Sequence, residues 1–157
     1  MEVTMNLTEL VRENADDLVS GAVAELHQAR LRHYEEEGID AAHERLTTLL
    51  DRMLRCLDAR RADPIIEWAT RIGHERFTSG YDLFEVQTAI NVLEEALWKR
   101  ILSSVGPEDL AHALGLVNTI LSMAKDTLAR TYVSLATNRV APPVDIKELW
   151  HSPDSPQ

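Results

Sequence analysis

Histidine, cysteine and acidic residues are the side chains here that could carry chemistry, and their spacing gives no metal-binding pattern. A di-iron helical bundle needs two Glu-x-x-His pairs that face inward. The only such pair here is Glu148 and His151, close to the carboxyl terminus. Asp109 and His112 have suitable spacing, but His112 lies about 200° around the helix from Leu110 and faces away from the apolar side. The sequence therefore predicts no metal site.

The other histidines and the single cysteine also give no sign of a metal or haem site. His27 and His74 lie opposite the apolar faces of their helices, and His33 belongs to a cluster of charged residues. Only His43 comes near an apolar face, in a first helical turn. We predict that these histidines lie at the surface and bind no haem. Cys56 is surrounded by leucines, which predicts a packed and reduced thiol.

Motifs of nucleophilic catalysis and phosphate binding are absent from the sequence. There is no Gly-x-Ser-x-Gly elbow, and neither of the glycine-rich phosphate-binding motifs occurs. The sequence therefore predicts a protein that is not an enzyme and that holds no cofactor.

Three polar residues interrupt the apolar sides of two predicted helices. Arg76 falls about 20° from Ile65 on a helical wheel, in the middle of an apolar arc. Glu94 falls about 20° from Leu83 on the next helix, and Gln87 lies close by. Charged side chains are rarely buried without a partner, so these positions call for one.

We predict that Arg76, Gln87 and Glu94 form a buried polar cluster. Arg76 would be held either by Glu94 or by carbonyl and carboxylate groups near Asp82. In a functional version of this hypothesis, the cluster forms the floor of a small ligand pocket. The alternative is that Arg76 extends past Phe77 into solvent at the end of its helix.

Apolar residues at helical spacing predict five to six helices in one all-α domain, residues 1–138, either globin-like or a helical bundle. Capping boxes begin helices at Asn6 and Asp82. Asp40 and Asp63 are the predicted N-caps of two others, and Gly106 precedes the last. Residues 6–32 form either one bent helix or two. The predicted helices cover about residues 7–32, 40–61, 64–79, 83–105 and 107–138, and a proline-containing tail, 139–157, is predicted to be disordered.

The last predicted helix carries two apolar stripes. One alternates spacings of four and three residues, as in a helix that packs lengthwise against others. The second consists of Leu116, Ile120 and Met123 on the flank of the first. It is either the outer wall of the core or a surface for a partner. Because one apolar stripe is enough to pack the helix against a core, we predict that the second is a partner surface.

Charge and hydropathy exclude two classes of partner. The net charge is −10, with basic residues interspersed among acids, which disfavours nucleic acid because phosphate binding needs clustered Lys and Arg. No apolar run approaches the roughly 18 residues of a membrane span, and the amino terminus lacks a signal peptide pattern. We therefore predict a cytoplasmic protein that binds neither nucleic acid nor membrane.

The residues around the predicted junction of two helices resemble a known family, the N-terminal domain of RsbT co-antagonist proteins of the RsbR and RsbRD type. The resemblance extends over about residues 6–137. The residues that carry it are Trp68-Ala69, Ile72-Gly73, Glu75-Arg76-Phe77, Gly80-Tyr81-Asp82-Leu83 and Glu85-Val86. It places Arg76, Gly80 and Glu85 at signature positions with structural roles, and it implies no catalytic residue.

The resemblance also implies a function. Members are input domains of bacterial stress signalling, with a globin-like fold that holds no haem, that dimerise through helices and pass a signal to an output domain. A kinase, a phosphatase or an anti-sigma switch is the partner it implies. Family members usually continue into an output domain where this chain has a proline-broken tail, so either a stand-alone sensor or a truncated chain is expected. The alternative is a globin-like protein that binds haem or another small ligand.

Overall fold

The protein is a single all-α domain in the computed structural model, which describes residues 6–138. Its helices are α1 (Leu7–Glu13), α2 (Ala15–Gln28), α3 (Arg32–Glu37), α4 (Ile39–Ala59), α5 (Asp63–Thr78), α6 (Leu83–Ser104) and α7 (Pro107–Thr137). The all-α fold is confirmed, but the described residues contain seven helices instead of five to six. The predicted tail, 139–157, lies outside the described residues, so the domain boundary stays a prediction.

The additional helices both arise before residue 38. Asn14 leaves the helical conformation, with ψ at 13°, and its side-chain amide donates a 2.8 Å hydrogen bond to the carbonyl of Leu10. Residues 6–32 therefore form two helices, not one bent helix. The charged segment after them was expected to end a helix, but it forms α3 because Tyr34 is buried there.

The helix ends follow the local signals closely. Asn6 accepts a 2.8 Å hydrogen bond from the backbone N–H of Glu9, and a complete capping box opens α6. Two predicted N-caps are wrong. Gly38 precedes α4, with a φ of 89° that favours glycine, so Asp40 lies in the first turn. Ala62 precedes α5, which places Asp63 at its first helical position.

Five long helices enclose the core in a closed ring. Helix α2 packs against α6, α6 against α7, α7 against α5, α5 against α4, and α4 against α2 again. Helices α1 and α3 pack on α4. Helix α4 buries Cys56, whose thiol pKa is raised by burial, together with Leu46, Leu49, Leu50 and Met53. The largest fully buried side chains are Leu26, Leu49, Leu50, Met53, Ile65, Ile90, Leu93, Leu97, Ile101, Leu121, Leu128 and Val11.

Candidate functional site

Arg76 lies at the carboxyl end of α5, where only 8% of its surface is exposed. Its guanidinium carbon lies 5.4 Å from the centroid of the Tyr81 ring. Its Nη1 atom lies 3.9 Å from the carboxylate of Glu75, whose side chain is half exposed. The carbonyl of Arg76 accepts a 2.9 Å hydrogen bond from the N–H of Tyr81. Arg76 is thus held at the α5–α6 junction by Tyr81 and Glu75.

The other two residues of the predicted polar cluster lie around Lys125 of α7. The amide of Gln87 donates to the carbonyl of Lys125 at 3.5 Å, and the ammonium group of Lys125 lies 3.6 Å from a carboxylate oxygen of Glu94. That ammonium group also donates to Asn91 at 3.1 Å. Gln87 and Glu94 therefore both contact Lys125.

The hypothesis that Glu94 holds Arg76 is wrong. Among the ion pairs of residues 6–138, Glu94 is paired with Lys125 and Arg76 with Glu75. The reason is distance along the helix, because Glu94 lies about three turns into α6 whereas Arg76 packs at its beginning. A helical wheel places both residues on apolar faces, but it does not give their height along the helices.

Tyr81 is the centre of the polar interior at this junction. It is 4% exposed, and its hydroxyl accepts a 2.8 Å hydrogen bond from Arg45. Its carbonyl accepts a 2.9 Å bond from the hydroxyl of Tyr132. His33 stacks on its ring at 4.6 Å, and the ring of Tyr34 meets it edge-on at 5.4 Å. We call this set the Tyr81 cluster: His33, Tyr34, Arg45, Arg76, Tyr81, Glu85 and Tyr132.

The two arginines of the cluster lie over the faces of its tyrosine rings. The guanidinium carbon of Arg45 lies 5.6 Å from the Tyr81 centroid and 6.0 Å from that of Tyr34, and Arg45 also pairs with Glu37. Such cation–π contacts strengthen when they are desolvated. Burial raises the pKa of Tyr34 well above its ordinary value and that of Tyr132 to about 12. Both phenols therefore stay protonated at neutral pH.

Glu85 connects the amino end of α6 to α3. Its carboxylate accepts a 2.9 Å bond from the N–H of Asp82, which completes the capping box. It also contacts His33, through the ring at 2.7 Å and the backbone N–H at 3.2 Å. Burial alone would raise the pKa of Glu85, but the hydrogen bonds from Asp82 and His33 lower it.

One of the surface predictions for histidine is wrong. His33 is half-buried, since its ring is covered by Tyr81 and bound by Glu85. The histidines at positions 27, 43, 74 and 112 are exposed, as predicted. His151 lies outside the described residues.

The lowered pKa of Glu85 predicts how acid affects stability. A carboxyl whose pKa is lower in the folded state stabilises the protein above its unfolded pKa and loses that contribution as pH falls through the folded pKa. We therefore expect Glu85→Gln to lose less stability than the wild type between pH 6 and about pH 3. Glutamine preserves the capping position.

Urea unfolding at several pH values measures the effect of this substitution. Glu67 is exposed on α5, so Glu67→Gln is the matched control and should keep the acid dependence of the wild type. If Glu85→Gln also kept it, the hydrogen bonds to Glu85 would not favour the ionised carboxylate.

A small cavity lies beside the Tyr81 cluster. Its volume is about 20 Å³, and Arg45, Trp68 and Arg76 line it together with apolar residues. A more open apolar cleft of about 180 Å³ adjoins it, because Tyr34 lines both. The indole N–H of Trp68 is buried and has no hydrogen-bond partner in the part of the chain described.

The predicted partner surface is only partly exposed. Ile120 is 8% exposed and belongs to the core, Leu116 is half-buried, and Met123 is 38% exposed. On α6, Trp98 and Leu102 expose 41% and 58% of their surfaces. Helices α6 and α7 are antiparallel neighbours joined through Val105 and Gly106, and Lys125 lies on the side of α7 that faces α6. Leu116 and Met123 fall about 160–180° from Lys125 around α7, so they lie on the flank away from α6.

Most of the Tyr81 cluster is absent from the sequence-based prediction, although two signals indicated it. Tyr132 falls about 20° from Leu121 and therefore on the main apolar stripe of α7. Arg45 falls about 40° from Leu49, at the edge of the apolar arc of α4. Both positions indicated burial. No local pattern indicated that Tyr81 would be their common partner.

The fold and the cluster define a single all-α domain whose central polar groups converge on a tyrosine at a helix junction. The family model described as the RsbT co-antagonist protein rsbRD N-terminal domain matches residues 12–139. The chain belongs to this family, which confirms the resemblance seen around Arg76 and Gly80. Searches of curated proteins and of solved structures found no match.

Family membership indicates a regulatory domain of stress signalling in a partner-switching system. No helix within residues 6–138 is both long and apolar enough to cross a membrane.

Proposed function

We propose that this domain is a non-enzymatic sensory or protein-interaction domain of a bacterial, cytoplasmic stress-signalling system. It acts as a homodimer and relays a signal by changes in helix packing. Its output is a signalling partner of the kinase, phosphatase or anti-sigma type. Family membership supports the signalling role.

The Tyr81 cluster is the observation that carries the relay mechanism. It joins α3 through Tyr34, α4 through Arg45, α5 through Arg76 and α7 through Tyr132 at a single point. A shift of any one of these helices changes contacts to all the others. Because Tyr132 lies in the last two turns of α7, such a shift would reach the carboxyl end of that helix.

The dimer surface that we propose consists of Leu116, Ile120 and Met123 on α7. Singly exposed apolar residues are ordinary, but apolar residues that follow one another along one flank of a helix are typical of an interface. Ile120 supports this surface from within the core, and Met123 provides exposed area.

Light scattering of the purified protein at micromolar concentration tests the dimer. We expect the mass of a dimer, and we expect Met123→Lys to weaken association by about tenfold or more, since a charge replaces an apolar contact. The matched control is Phe84→Lys on α6, where Phe84 is 68% exposed and lies outside the proposed surface. A wild-type monomer would contradict the proposed dimer.

One absorption spectrum distinguishes this proposal from the haem-binding alternative. The freshly purified protein is expected to show only the aromatic band. A Soret band that shifts with carbon monoxide would favour a haem-binding globin-like protein and would overturn the proposed role.

A further inference from the structure

The small cavity beside the Tyr81 cluster has a distinctive polar lining. Its polar groups come from Tyr34, Arg45, Trp68 and Arg76, and all the other residues that line it are apolar. Guanidinium and indole groups only donate hydrogen bonds. The phenol of Tyr34 stays protonated, because burial raises its pKa. No carboxylate lines the cavity in the described part of the chain.

Two of these side chains are buried and donate no hydrogen bond within residues 6–138. Trp68 is 6% exposed, and its N–H has no acceptor within the described residues. Arg76 is 8% exposed, and the hydrogen bonds found among residues 6–138 include none from its guanidinium group. A buried donor without an acceptor costs about 1–3 kcal/mol, and a buried charge costs more unless it is paired.

The carboxylate partners of both arginines lie outside the lining of the cavity. Arg45 has a close partner in Glu37, whose side chain lies outside the cavity lining. The partner of Arg76 is Glu75, 3.9 Å away, with a side chain 53% exposed to solvent. An ion pair at that distance with an exposed partner is screened, so it neutralises little of the buried charge.

We propose that this cavity is a binding site for a small monovalent anion of halide size. Its ligands are the indole N–H of Trp68 and the guanidinium group of Arg76, with Arg45 adding positive potential. An anion accepts hydrogen bonds from every donor and offsets the buried charge. A water molecule would also fit, but among the lining side chains only the phenol oxygen of Tyr34 could accept a hydrogen bond from its two protons.

The size of the cavity selects the ligand class. About 20 Å³ is open to the centre of a water-sized sphere, which admits one small ion and excludes a sugar acid or a nucleotide. The site does not depend on the proposed signalling role. Binding can therefore be measured whether or not the domain dimerises or has an output partner.

Thermal unfolding in chloride-free buffer tests the site in solution. The unfolding midpoint is compared in equal concentrations of sodium bromide and sodium gluconate, the latter being too large for the cavity. We expect the midpoint of the wild type to be about 3 °C higher in bromide, because only the folded state binds the ion. In Trp68→Phe, which removes the donor and keeps an aromatic ring, this difference should disappear.

Trp98→Phe is the matched control, because Trp98 is 41% exposed on α6. Its bromide difference should equal that of the wild type, which shows that the loss in Trp68→Phe comes from this site and not from replacing any tryptophan. Crystals of the unsubstituted protein grown in bromide give a second measurement, independent of whether Trp68→Phe folds. An anomalous peak between Trp68 and Arg76 is expected. A cavity without that peak, or a bromide difference that Trp68→Phe leaves unchanged, would overturn the proposal.

Discussion

Replacing Tyr81 by alanine is expected to lower the free energy of unfolding by about 3–5 kcal/mol, the range for removing a buried aromatic side chain. The substitution removes the ring that packs against His33, Tyr34 and both arginines of the cluster. It also leaves Arg76 buried without its nearest π face, which adds a desolvation cost. Urea unfolding followed by circular dichroism measures the loss.

Tyr81→Phe separates the two functions of the side chain. The ring contacts remain, and only the hydroxyl that accepts from Arg45 is lost, so a smaller loss of about 1–2 kcal/mol is expected. Phe84→Ala, three residues further on and 68% exposed, is the control and should stay within about 0.5 kcal/mol of wild type. If Tyr81→Ala were as mild as the control, the cluster would not stabilise the fold.

The sequence predicted those features that depend on neighbours within a helical turn. The capping box at Asp82 and the start of α7 after Gly106 are confirmed by the structure, and at Asn6 the bond from the backbone N–H of Glu9 is present. Each rests on hydrogen bonds or side-chain spacing within four residues. The same local reasoning placed Arg76 and Glu94 on apolar faces.

The partners of those residues could not be predicted, because they come from distant positions in the chain. Arg45 and Tyr132 contact Tyr81 across 36 and 51 residues, and His33 reaches Glu85 across 52. Such contacts depend on the ring of helices and on their relative heights. Helix α3 was missed for the same reason, since the burial of Tyr34 against Tyr81 outweighs its charged neighbours.

Glycine at position 73 lets α5 and α7 approach each other, and Gly73→Ala is expected to destabilise the protein by about 1–3 kcal/mol. A Cβ atom added at Gly73 would lie 2.8 Å from the Cγ2 atom of Thr131 and 3.0 Å from its Cβ atom. Thr131 cannot turn away freely, because its hydroxyl donates a 2.8 Å bond to the carbonyl of Thr127. The steric cost therefore exceeds the gain of up to about 1 kcal/mol in helix propensity.

Alanine substitution at two other helical glycines should raise stability instead of lowering it. A Cβ atom added at Gly115 in α7 or at Gly21 in α2 meets nothing within 4 Å. Alanine at either position is therefore expected to stabilise the fold by about 0.5–1 kcal/mol, through helix propensity and a less flexible unfolded chain. These two variants are the matched controls for Gly73→Ala.

A double-mutant cycle identifies the contact responsible for the loss at position 73. Thr131→Ser removes the methyl group nearest the new Cβ atom and keeps the hydroxyl, so it should recover about 0.5–1 kcal/mol or more in the Gly73→Ala background. In the wild-type background the same change should only cost stability, because it removes a buried methyl group. A stabilising Gly73→Ala, or no coupling with position 131, would show that α5 and α7 have room to separate at little cost.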